Sequence, residues 1–129
     1  MARPGSKHPT EGELAILKVL WEQGPSRLSD ICTHLSVDRK PAPSTVATML
    51  KIMKDKGLVQ RVSPGTGVAW QAKLTQKEAG GSMLQTLMNQ LFEGSAQKVV
   101  LQLLEGGKLS RKDQEEIRKL LTSKHSIKR

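Results

Sequence analysis

Apolar residues recur at helical spacing along most of the chain and give way to β-branched runs in one short stretch. Thr10-Glu11-Gly12-Glu13 has the form of a capping box, which predicts a first helix from about Thr10 to Glu22. Leu14, Leu17, Leu20 and Trp21 share its broad face, with Ile16 on the flank, and Gly24-Pro25 ends it. Ser26 is placed to cap a short second helix through Leu35, with Leu28, Ile31 and Leu35 turned inward. Ser36 to Pro43 carries a basic pair and two prolines and reads as a turn. Ser44 then opens a third helix that stops at Gly57, after Lys54 and Lys56.

Beyond Gly57 the period changes. Leu58 to Val62 and Val68 to Ala72 are extended runs around the turn Pro64-Gly65-Thr66-Gly67, a β-hairpin signature. Thr75-Gln76-Lys77-Glu78 repeats the capping box and starts a helix reaching about Phe92, weakened early by Gly80-Gly81. Ser95 to Glu105 and Ser110 to about Ser123 make two further helices, separated by Gly106-Gly107. The pattern predicts a mainly α protein: a winged helix-turn-helix of three helices plus a two-stranded wing, followed by C-terminal helices. The expected organisation is a flexible basic arm over 1–9, a winged domain over 10–73, a helical domain over 74–123 and a basic tail over 124–129. The terminal helices hold more Leu, Val and Met than they can bury on one another, which points to a partner surface.

Charge narrows the partner. Lys and Arg outnumber Asp and Glu by 21 to 12 in 129 residues, an excess suited to an anionic partner. Six of the basic residues lie between Arg39 and Arg61 (Arg39, Lys40, Lys51, Lys54, Lys56 and Arg61), against one acid, Asp55. Neutralising phosphates with such residues releases counterions and makes affinity depend on salt. The only aromatic residues are Trp21, Trp70 and Phe92, too few for the stacking platforms of single-strand binders. One cysteine, Cys32, excludes an internal disulfide and fits a reducing cytoplasm. No apolar run is long enough for a membrane span, and the amino end lacks the apolar core of a signal peptide.

The third helix divides cleanly. At about 100° per residue, Val46, Met49, Leu50 and Met53 fall on one side. Ser44, Ala47, Thr48, Lys51 and Asp55 fall on the other, with Thr45 at the border. The small outer residues allow close approach to a groove. Ser44 and Thr48 can donate to bases or phosphates, and Lys51 can reach a phosphate or a guanine. Arg39 and Lys40 add charge just before this helix. The same arrangement also describes an ordinary solvated helix. It leaves open a non-specific architectural DNA-binding protein or a winged helix used for protein interaction.

Five stretches carry a family likeness: Thr10-x-x-Glu13-Leu14-x-Ile16-Leu17-x-x-Leu20-Trp21, Ser44-Thr45-Val46-x-Thr48-Met49-Leu50, Lys56-Gly57-Leu58-Val59-x-Arg61, Leu91-Phe92-x-Gly94-Ser95 and Leu109-Ser110. In these the chain resembles the BlaI/MecI/CopY family of bacterial transcriptional repressors, also called the penicillinase-repressor family. The resemblance implies a homodimer that binds a palindromic operator in double-stranded DNA and acts as a sequence-specific repressor. By carry-over, Ser44, Thr45, Thr48 and Lys51 read bases, and Arg61 and the wing-tip Thr66 meet the backbone. Ala47 departs from the members that carry a large basic side chain there, and its methyl can meet a thymine methyl. Leu87, Leu91, Val100, Leu104, Leu120 and Leu121 are the dimerisation candidates. β-Lactam-responsive members are cut by a partner metalloprotease at an Asn-Phe bond in the fifth helix, where this chain has Gln102-Leu103. Whether a regulatory protease or another inducer releases it is left open. Copper-responsive members carry C-terminal cysteines, which this chain lacks. Trp70 stands where an aromatic is usual and is read as packing under the wing.

His8, His34 and His125 share no ligand spacing with Cys32, so no metal is expected. Cys32 reads as a small buried hydrophobe. No nucleophile motif or phosphate-cradling loop is present, so neither an enzyme nor a cofactor is expected.

Overall fold

The computed structural model describes residues 9–36, 38–63, 65 and 67–127, with side chains through Ser123. The arm expected over 1–9 lies, apart from Pro9, outside the described residues, as do Thr66, His8 and the side chains of the expected tail.

Helix α1 spans Glu11–Gln23 and starts as its sequence dictates. The Thr10 hydroxyl accepts from the Glu13 amide at 3.1 Å, and Glu13 Oε1 accepts from the Thr10 amide at 2.9 Å. Its inward face is Ile16, Leu17, Val19 and Leu20. Ile16 is therefore central rather than flanking, and Leu14 is half-buried at the edge. Trp21 is half-buried, and its Nε1 donates to the Leu74 carbonyl at 2.9 Å.

Helix α2, Leu28–His34, begins without a side-chain cap. Ser26 does not cap it as expected. The Ser26 backbone pairs in both directions with Trp70 (2.9 and 2.8 Å), and its hydroxyl donates back to the Gly24 carbonyl. Helix α3, Pro43–Lys56, starts one residue before the expected Ser44. Proline suits the first helical position because its ring presets φ and its missing N–H is not needed there. Gly57 ends α3 at φ 85°, a left-handed conformation that disfavours any side chain.

Strands β1 (Val59–Val62) and β2 (Ala69–Ala72) are antiparallel, with Gln60 opposite Gln71 and Arg61 opposite Trp70. Helices α4 (Gln76–Leu91), α5 (Ala96–Glu105) and α6 (Arg111–Ile127) follow. Their starts match the pattern. Thr75 and Glu78 exchange capping bonds, Ser95 accepts from the Lys98 amide, and Ser110 and Asp113 exchange bonds. The α6 backbone continues four residues past the expected end at Ser123.

The chain divides into two compact units, one ending at Leu84 and one beginning at Gln85. In the first, Ile16, Leu17, Ile31, Val46, Leu50, Met53, Leu58 and Val59 form the fully buried centre. Leu74 and Ala79 belong to the same core, so a winged domain drawn to end at residue 73 leaves out two of its own buried side chains. Three helices and a hairpin around this centre make a winged helix. A Cβ at position 12 would stand 2.9 Å from Met49 Cε, the flexible end of that side chain, so a small residue there needs only a shift of the methionine methyl.

In the second unit α5 buries none of its residues. All six dimerisation candidates are exposed on the single chain, from 42% at Leu87 to 69% at Leu91. Leu101, Leu103 and Ile117 are exposed with them and were not among the candidates.

The first unit contains an ion pair between distant positions. Lys56 Nζ lies 2.9 Å from both carboxylate oxygens of Glu13, whose side chain is 6% exposed. One carboxylate thus caps α1 and anchors the last turn of α3. Removing it would strand the Thr10 amide and the Lys56 ammonium. Lys56 is 30% exposed, so water screens part of the loss. Glu13→Ala is expected to cost about 2 kcal/mol in urea denaturation, and Glu13→Gln about half of that because it keeps the capping acceptor. Equal stability of wild type and Glu13→Ala would show that the pair contributes nothing.

Candidate nucleic-acid interface

The outer face of α3 follows from its inner one. With Val46, Leu50 and Met53 fully buried, the helix has one rotation about its axis, and it leaves Ser44, Thr45, Thr48, Lys51 and Asp55 exposed. Ala47 is half-buried on the flank toward the wing. The Thr48 hydroxyl donates to the Ser44 carbonyl at 3.0 Å, so it presents lone pairs outward. In this arrangement the hydroxyl proton of Thr48 is already used, so Thr48 can only accept outward, which corrects the donor role read from the sequence.

Between α3 and the wing lies an open concavity of about 470 Å³, lined by Leu28, Ala47, Lys51, Lys54, Asp55, Arg61, Val68 and Trp70. The structure therefore brings together three of the sequence candidates, Ala47, Lys51 and Arg61. Lys54 joins them and was missed as a site residue, although it follows Lys51 by three positions, the spacing of helical neighbours. The Arg61 guanidinium carbon stands 5.6 Å from the centre of the Trp70 ring. Trp70 thus does more than pack under the wing.

Other candidates go elsewhere. Arg39 lines a separate apolar hollow with Gly12, Ala15, Ile16, Leu35, Pro41 and Met49. Lys40 Nζ donates to the Thr33 carbonyl at 3.0 Å, which turns it back on α2. Lys56 is engaged by Glu13, so one of the six basic residues counted between Arg39 and Arg61 is already neutralised. Arg27, unmarked by any sequence pattern, reaches the wing: its Nη2 lies 3.4 Å from where a Cβ on Gly67 would stand. Cys32 is half-buried against the core, and His34 Nδ1 is 2.9 Å from the Asp30 carbonyl. Among the described residues no three His, Cys, Asp or Glu side chains gather as a metal site, and no helix is long and apolar enough to cross a membrane.

A winged helix with a small-residue face on its third helix, flanked by cations on the wing side, is the arrangement of a winged-helix DNA-binding protein. Comparison with known sequences makes the class specific. The chain belongs to the penicillinase repressor family, which it matches over residues 9–123. It is 22% identical over 112 residues to the penicillinase repressor of Bacillus licheniformis, covering 87% of this chain and 88% of that one. It is 19% identical over 115 residues to the methicillin resistance regulatory protein MecI of Mammaliicoccus sciuri, covering 89% and 94%. MecI of Staphylococcus aureus (strain N315) is 18% identical over 115 residues, with the same coverage. The family is one of DNA-binding transcriptional repressors, which are not enzymes, and the chain is a repressor of that kind.

Proposed function

We propose that the chain acts in the cytoplasm as a homodimer that occupies a palindromic operator in duplex DNA and blocks transcription by doing so. Support comes first from the cationic concavity. Lys51, Lys54 and Arg61 surround it, beside an α3 face small enough to enter the major groove. Ser44, Thr45, Ala47, Thr48 and Lys51 are the base-reading residues, and Arg61 contacts the backbone. The exposed leucines and valine of the second unit form the dimer contact, which sets two recognition helices on two half-sites. Release by a protease acting at Gln102–Leu103 would require local unwinding, because both residues lie inside α5.

The test is binding to the duplex upstream of its own coding region across a salt series. Affinity should fall steeply with salt, and Lys51→Glu with Arg61→Glu should remove binding without lowering the melting temperature. A flat salt response, or equal affinity for a mixed-sequence duplex at physiological salt, would sink the sequence-specific reading. Intact function in the charge-reversed variant would indicate a protein-interaction module instead.

A further inference from the structure

We infer that Trp70 is a positioning residue: its indole is a fixed plate that holds the Arg61 guanidinium at the concavity between α3 and the wing, ready for a DNA phosphate. The inference rests on the DNA-binding reading above and gives that site a part no sequence motif supplies.

Three observations carry it. Arg61 and Trp70 face each other directly in the antiparallel ladder, and the guanidinium carbon lies 5.6 Å from the ring centroid. That is within the range of a cation–π contact, about 6 Å. The plate is held from both sides. β1 pairs with one edge of β2, and the buried Ser26 pairs with Trp70 on the other, through bonds of 2.9 and 2.8 Å. The indole also packs against the core, so it does not follow the side chain it carries. Finally, Arg61 shares the concavity with Lys51 and Lys54 as well as Asp55, so two like charges against one opposite charge leave an untethered guanidinium with a net push away.

Stacking suits the task better than an ion pair. A carboxylate partner would occupy the N–H groups that a phosphate needs. The indole draws the cation to its ring face and has no lone pair that would claim an N–H, so the five donors stay available. No carboxylate among the described residues forms a salt bridge with Arg61. Holding a long side chain in advance also removes part of the ordering cost of binding. Because phosphate contacts are blind to sequence, the effect belongs to affinity for any duplex.

A double-mutant cycle on a mixed-sequence duplex at low salt tests this. Trp70→Leu is expected to weaken binding about three- to fivefold, the strength of one exposed cation–π contact. Trp70→Phe, which keeps a ring, should retain most of the affinity. In an Arg61→Ala background, Trp70→Leu should cost nothing further. Equal losses in both backgrounds would mean that Trp70 acts through packing alone, and the inference falls while DNA binding stands. If Trp70→Leu does not fold, the side-chain resonances of Arg61 in the wild-type protein decide instead. In the DNA-free protein, the Arg61 side-chain proton resonances should lie upfield in the indole ring current. Random-coil positions would overturn the stack independently of DNA. No binding of the wild-type chain to any duplex would overturn the functional reading itself.

Discussion

Cutting the chain after Leu84 is expected to leave a folded winged unit whose affinity for a palindromic site is lower by about 10²- to 10⁴-fold. The folding half of this expectation follows from the core. All its members lie between Ile16 and Ala79, so none is lost by the cut. A cut after Lys73 would behave differently. It would remove Leu74 and Ala79, together with the carbonyl that receives the Trp21 Nε1–H. Its product is expected to melt well below the longer fragment. The binding half follows from linkage. In the proposed dimer the second half-site is met at a high effective concentration, whereas the fragment meets each half-site independently. Melting the two fragments, and titrating full chain and fragment on one half-site and on two, checks both halves. The fragment should bind a single half-site about as well as the full chain. Equal affinity of both for the palindrome would count against dimeric binding.

Leu50→Ala is expected to destabilise the first unit by about 3 kcal/mol, the cost of deleting a fully buried leucine side chain. Against a typical total of about 5–15 kcal/mol, that is a large fraction. Its neighbour Lys51 gives the opposite profile. Lys51 is exposed and lines the concavity, so its substitution should alter DNA affinity with little change in stability. Urea denaturation and DNA titration of the two single variants would separate the faces of α3. An Leu50→Ala protein as stable as wild type would show that the core closes over the gap, contrary to its packing.

What could be read from the sequence was mostly local. The capping boxes at Thr10 and Thr75 are contained within four residues each, and both formed. The rotation of α3 was legible because Val46, Leu50 and Met53 keep helical spacing. The order of elements then fixed the winged helix. What escaped was set by pairs far apart in the chain. Glu13 meets Lys56 across 43 positions, and nothing near either residue signals the other. Ser26 looks like a helix cap in its own neighbourhood, but its backbone is taken by Trp70. The Arg61–Trp70 stack depends on the register of the hairpin, which a turn of unknown geometry leaves undetermined in the sequence. Lys40 illustrates the limit for site residues: charge count placed it at the interface, yet its ammonium satisfies a carbonyl of α2.

The pairing of Ser26 with Trp70 also bears on solubility. A two-stranded ribbon has two open edges, each able to recruit a strand from another molecule. Here the outer edge of β2 is occupied at its middle by Ser26, so growth on that side is blocked. The remaining edge belongs to β1, four residues long, with Gln60 and Arg61 exposed at its centre. Short length and a charged side chain are the usual protections of such an edge. The sheet therefore offers a poor template for cross-β growth, even in a chain whose second unit leaves many leucines uncovered.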